Sequence, residues 1–211
     1  MLKTILQQLK SHSPFTVFGA LTGIVIMFFF RDMSHDAAYR VFYVLHPLHV
    51  ALSAIVSSSM YQLHRQDRHD KRHPLWTLIA IGYVGSVGMA TVSDSLIPYL
   101  CETVLDLPLR EAHVGFLEEF LLVNLAAALG IAAALWRPTT RLPHSMHVFV
   151  STWASLFHIV MALGGALAWW AYPVIFAFLF VAVWLPCCFG DIIFPLLFVG
   201  KDAVKPCCGG H

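Results

Sequence analysis

Residues 41–61, VFYVLHPLHVALSAIVSSSMY, are apolar over a bilayer-crossing length, yet they contain His46, His49, Ser53 and Ser57. A transmembrane helix needs about 20 predominantly apolar residues. At about 100° per residue the four polar side chains fall on one side of such a helix. Facing lipid, that stripe would leave hydrogen-bonding groups unsatisfied in hydrocarbon. It must therefore face other helices or a wet cavity, which excludes a solitary membrane anchor.

Five further apolar stretches accompany it, at 14–30, 75–96, 117–136, 145–169 and 173–200. With 58% hydrophobic and 12% charged residues in a chain of 211, a soluble domain could not hide this much apolar surface. The expected fold is all-α: a polytopic integral membrane helical bundle of about six transmembrane helices. Residues 1–211 read as a single transmembrane domain. Before the first span, Leu2, Ile5, Leu6 and Leu9 recur at helical spacing beside Lys3 and Lys10. They predict a short amphipathic helix over 2–10 on the membrane surface. No small-residue cleavage site follows, so no signal peptide is expected.

Charge placement orients the spans. The connection 62–73 carries Arg65, Arg68, Lys71 and Arg72, the connection near 137–141 carries Arg137 and Arg141, and the tail carries Lys201 and Lys205. By the positive-inside rule these are cytoplasmic, which places both termini there and predicts a multi-pass protein of a bacterial-type inner (plasma) membrane. The connection 97–116, with Cys101, Glu102, Asp106 and Glu111, is acidic on balance and reads as external. A net charge of +1 gives no sign of nucleic acid as a partner. The expected partner is the lipid bilayer, with a homodimer or a larger membrane complex as a further possibility. Gly19 with Gly23, and the small-residue face of Gly82, Gly85, Ser86 and Ser93, offer close-packing surfaces for such a contact. Trp169, Trp170 and Tyr172 mark an interfacial aromatic belt. Pro186, Gly190 and Pro195 predict a bend or break in the inner half of the last span.

A second polar stripe lies in the fifth span, where His144, His147, Ser151, Ser155 and His158 fall within about 80° of arc. Counting depth from the edges of the apolar stretches puts His49 about 12 Å below the outer boundary and His158 about 18 Å above the inner one, at one level in a core of about 30 Å. The candidate outer site is therefore His46, His49 and His158 with Asp94, His113 and Glu118, and Glu102 as an alternative carboxylate. On the same reckoning His147 lies deeper, where the second span offers only Ser57 and Met60. A secondary inner site gathers His144, His147, Cys187, Cys188 and Asp191, since Cys187 and Cys188 share a helix face with Asp191. Beyond it the cytoplasmic tail 201–211 holds Cys207, Cys208 and His211 as soft ligands. The vicinal pairs Cys187-Cys188 and Cys207-Cys208 would strain as disulfides, so the cysteines read as reduced thiols or metal ligands.

Imidazole and carboxylate suit zinc, iron or manganese, and thiolate shifts the preference towards zinc and copper(I). His46 and His49, at i,i+3, can share one ion inside a bundle. The expected function is a small transporter of a divalent or soft metal ion, with zinc or iron favoured and copper also suited. An intramembrane metal-dependent enzyme would use the same outer cluster, with Glu118 or Asp94 as general base and a lipid-like substrate. A b-type haem subunit would use His49 and His158 as axial ligands. A scaffold subunit of a larger complex would close both stripes with hydrogen bonds alone. The HxxH pairs lack the intervening Glu of the HExxH metalloprotease pattern.

Overall fold

The computed structural model describes residues 2–66, 75–165 and 167–198, and all regular structure among them is helical. The helices are α1 (Leu2–Phe30), α2 (His35–Gln66), α3 (Leu75–Val104), α4 (Gly115–Glu118), α5 (Phe120–Trp136), α6 (Arg141–Met161) and α7 (Ala171–Cys188). α7 continues through a π-helical turn, Phe189–Ile193, into the short α8 (Phe194–Leu197).

Three segments, Ser13–Phe30, His35–Leu63 and Leu75–Val104, are long and apolar enough to cross a membrane. Phe120–Trp136, Met146–Met161 and Ala171–Cys187 are shorter apolar helices. Ionisable and hydroxyl side chains are buried beside the apolar core, and many large apolar side chains are exposed. His46, Ser57, Asp94, Glu102 and His158 are fully buried, while Leu121, Phe29 and Trp136 are 79%, 74% and 92% exposed. Apolar surface turned outward, with the polar side chains turned in, is the arrangement that hydrocarbon solvent selects. Trp169 and Trp170 are also exposed.

α2 is the central helix, packed chiefly on α6 and α5 and also on α3, while α1 lies against α7 and α6. Small residues set these crossings. A Cβ on Gly130 of α5 would stand 2.4 Å from the Ala51 carbonyl oxygen of α2, so the two backbones meet only because that position is glycine. The close-packing faces read as dimer contacts are used within the chain. Gly19 and Gly23 lie against Thr152 and Leu179, and Gly82 and Gly85 lie against Ser58 and Ser57. A main apolar core joins α1, α2, α6 and α7 through Met27, Phe42, Leu156, Ile175 and Leu179.

Four boundaries differ from those read in the sequence. The segment 2–10 is not a separate surface helix; α1 runs through Pro14 without interruption. α2 begins at His35, six residues before the apolar stretch, because polar His35, Asp36 and Arg40 are tolerated at a helix end that hydropathy cannot see. α3 extends to Val104, so Cys101 and Glu102 belong to a helix and not to a loop. α6 stops at Met161, short of Trp169, where the apolar stretch ends. The expected irregularity near Gly190 is the π turn Phe189–Ile193, and α3 contains two more, Val84–Gly88 and Val92–Leu96.

Candidate metal centre

The histidine stripes come from two regular helices that run antiparallel. Phe42 of α2 contacts His158 of α6, with ring centroids 5.4 Å apart, and seven residues further along α2, His49 stacks on His147 at 5.8 Å. Rising number on one helix thus meets falling number on the other. The stripe of α2 continues upstream of His46 through Phe42 and Tyr39 to His35 at steps of three or four residues, the spacing that keeps one face.

Asp94 stands between the stripes. It lies in the π turn Val92–Leu96 and is fully buried. Its Oδ2 is 3.0 Å from His46 Nδ1 and 2.7 Å from His49 Nδ1. Its Oδ1 accepts from Ser93 Oγ at 2.6 Å and from Ser151 Oγ at 2.9 Å. Four partners match the roughly four lone-pair directions of a carboxylate, so the desolvated group is satisfied. Ser155 of α6 donates to the Ser93 carbonyl at 3.0 Å, one of the backbone acceptors in the region of the π turn.

A carboxylate has no hydrogen to give, so the Nδ1 atoms of His46 and His49 both carry theirs and donate. In the neutral imidazoles the Nε2 atoms then carry the lone pairs. His49 Nε2 is 3.9 Å from Cys187 Sγ, which is also 3.9 Å from Ser151 Oγ. His49, His147 and Cys187 each offer a ligand atom, and the three atoms lie within 4.8 Å of one another. All three residues are buried. Imidazole Nε2 facing an ion while Nδ1–H is held by a carboxylate is the usual support for a metal-binding histidine.

The other expected ligands form separate pairs. Glu102 Oε1 is 2.6 Å from His158 Nδ1, and both side chains are fully buried. Glu118 accepts from Tyr43 OH at 2.5 Å and from His113 Nδ1 at 3.2 Å. The rings of His113 and His158 are 5.7 Å apart. The six outer residues therefore do not converge on one point; with Glu102 as a seventh they form a succession of carboxylate–imidazole pairs along α2. His49 sits level with His147 and not with His158. The reason is the early start of α2, which puts His49 fourteen residues, about 21 Å, from the beginning of its helix.

Of the inner group, His147 and Cys187 join His49. The side chains of His144, Cys188 and Asp191, and the tail with Cys207, Cys208 and His211, lie outside the described residues. Three contributors escaped the sequence reading: Glu102 as a helical residue, Tyr43 as a donor to Glu118, and His35, whose Nδ1 is 3.2 Å from the Met161 carbonyl oxygen. Extending the three-and-four spacing of α2 towards its start would have found Tyr43 or His35. Comparison with known protein families, curated proteins and solved structures gives no match.

Proposed function

We propose that this chain is a membrane carrier for a soft or borderline metal ion, which it holds within the bundle at His49, His147 and Cys187. The observation that carries the reading is the convergence of those three ligand atoms within 4.8 Å, backed by Asp94 on His49 Nδ1. Two imidazoles and a thiolate suit zinc or copper(I), with iron a poorer match to sulfur. Three protein ligands leave a coordination position open, which a passing ion requires in order to leave. Asp94 has both oxygens engaged by protein donors, which favours a supporting role over that of a general base.

In this reading the three longer and three shorter apolar helices make six crossings in a single domain. The basic connection 62–73 and both termini face the cytoplasm, and the membrane is a bacterial-type inner membrane. The chain works alone, as a homodimer or within a larger membrane complex, through surfaces other than the glycine faces already used inside the bundle.

The test is zinc binding to the full-length protein in detergent, followed by zinc flux into proteoliposomes. The wild-type chain is expected to hold one tight ion and to conduct. Cys187→Ser and His147→Ala are each expected to lose the tight ion and the flux while remaining folded. Retention of the tight ion in both variants, or no binding by the wild type, overturns the proposal.

A further inference from the structure

Two buried carboxylates of α3 are held in opposite ways. Asp94 has four protein partners, two on each oxygen. They occupy its lone-pair directions and fix it as an acceptor. Glu102 has one, His158 Nδ1 at 2.6 Å. Its other oxygen and the other ring nitrogen of His158 are buried without a hydrogen-bond partner among the described residues. Both side chains are 0% exposed. A carboxylate buried for structure alone is surrounded by donors, because burial removes water and leaves its lone pairs unmet. Glu102 is not so surrounded. A carboxyl group with a single partner takes up or gives up a hydrogen on its second oxygen without breaking any other bond.

The pair lies at the end of a series. His113 is in edge contact with His158, ring centroids 5.7 Å apart, and its Nδ1 is 3.2 Å from both oxygens of Glu118. Side-chain exposure falls along the series, from 32% at Glu118 and 9% at His113 to 0% at His158 and Glu102. The four side chains form a column that leads from the surface of the bundle to its interior. From α2, Tyr39 and Tyr43 donate to Glu118 at 3.4 and 2.5 Å, and the His35 ring is 5.7 Å from that of His113. On α3 the Cys101 thiol precedes Glu102. Residues 24–30 of α1 and 171–180 of α7, in the core around this end of α6, bring only Tyr172 as a titratable group. The column meets the Asp94 cluster at Phe42, whose ring is 5.3 Å from His46 and 5.4 Å from His158.

We propose that Glu102 and His158 hold one exchangeable proton, delivered by way of Glu118 and His113, and that this proton is coupled to the movement of the metal ion. With neutral imidazole and ionised Glu102 the pair carries one negative charge; with one more proton it carries none. The added proton goes to one of the two unpartnered acceptors, His158 Nε2 or Glu102 Oε2, and Glu118 and His113 return to their starting states once it has passed. A single proton thus switches a charge at a fully buried position, and chains of carboxylate and imidazole inside a membrane bundle are suited to passing protons. The metal centre keeps separate ligands, but α2 and α6 carry groups of both sites, with Phe42 against His158 and His49 against His147. The coupling rests on the carrier reading; the proton pair itself does not.

Infrared difference spectra of the full-length protein in detergent test the pair without any metal. Recorded between about pH 8 and about pH 5, they cover the range in which an imidazole changes charge. The wild type is expected to show carboxyl and imidazole bands that both Glu102→Gln and His158→Asn remove, since a proton held by a pair belongs to neither residue alone. Spectra that keep every band in both folded variants overturn the pair. Coupling is read in proteoliposomes loaded with zinc and held at fixed voltage. There a pH difference of about one unit should shift the final zinc distribution about tenfold for each coupled proton, and the sign of the shift tells exchange from co-transport. Zinc titration should find the tight ion retained in Glu102→Gln, while the final zinc distribution of that variant should no longer respond to pH. A wild type that conducts zinc to a distribution indifferent to pH overturns the coupling. A wild type that shows the paired bands but conducts no zinc supports the proton pair and overturns the carrier.

Discussion

The two helices that supply most of the histidines and the two that supply Asp94, Glu102 and Cys187 are built differently. α2 and α6 hold their polar stripes on regular helical spacing, and α2 keeps it through Pro47. α3 and α7 are interrupted by π turns, two in α3 and one after α7. Asp94 is inside one of those turns, and Cys187 lies two residues before another. A π turn inserts an extra residue into the helical repeat, which offsets every later side chain by about 100°. The regular helices thus set out a row of imidazoles, the π turns of α3 turn the Asp94 carboxylate to meet them, and the regular part of α7 brings the Cys187 thiol. Where the spacing is uniform the ligand row is repetitive; where it is broken the partner is specific.

Removing Asp94 should have the largest effect, since it is the point at which the two kinds of helix meet. Asp94→Ala leaves His46, His49, Ser93 and Ser151 facing an empty acceptor position in the bundle interior. Breaking a buried, hydrogen-bonded pair on one side costs about 3–5 kcal/mol. Chemical denaturation in micelles should report a loss of that order, together with loss of the tight ion. Asp94→Asn keeps the volume and one acceptor oxygen and should recover part of the stability. A variant as stable as the wild type would mean that α2 and α6 hold their stripes without the interrupted helix.

The same difference decided what could be read from the chain. The polar faces of α2 and α6 follow from counting at 100° per residue, and His46, His49, His147 and His158 were all legible that way. So was the membrane class, because apolar length is a property of composition. The partners were not legible in the same sense. Asp94 lies inside the second π turn of α3, so a uniform count does not predict which face Glu102 shares with it, and the charge of Glu102 places it in a connection by hydropathy. Depth failed for a related reason. Hydropathy marks where apolar sequence begins, whereas α2 begins at His35, and six residues are about 9 Å of rise. Together with the start of α6 at Arg141, four residues and about 6 Å before its apolar stretch, that shift replaces the expected level pair His49–His158 with His49–His147.

The next effect concerns how the interrupted helices are held together. The first π turn of α3 and the π turn after α7 cross at Gly85 and Gly190, against Ser57 of α2, whose hydroxyl donates to the Gly190 carbonyl at 3.3 Å. A Cβ on Gly190 would stand 2.9 Å from the Gly85 carbonyl oxygen and closer still to the Met89 side chain. The methionine can move; the carbonyl belongs to a packed backbone. Gly190→Ala should therefore destabilise by about 1–3 kcal/mol, as overpacking does. Because Cys187 lies three residues before Gly190, metal affinity should fall as well, measured by the same titration. Loss of stability with unchanged affinity would separate the crossing from the centre.

The smallest effect tests whether glycine matters to these turns for its flexibility or for its size. Gly88 ends the first π turn of α3, and a Cβ there meets nothing within 4 Å. Its backbone is ordinary right-handed helix, with φ −62° and ψ −47°. Alanine adopts that conformation freely and loses less chain entropy on folding. Gly88→Ala should leave metal binding unchanged and raise stability by about 0.5–1 kcal/mol, seen as a small upward shift in the denaturation midpoint. If Gly88→Ala instead weakens metal binding, the turn depends on backbone freedom at its end, and the close approach at Gly85 and Gly190 is not what holds it. If stability rises as expected, the interruption is fixed by packing, and small size at the crossing is the property that aims Asp94 at the histidine row and seats the end of α7 that carries Cys187.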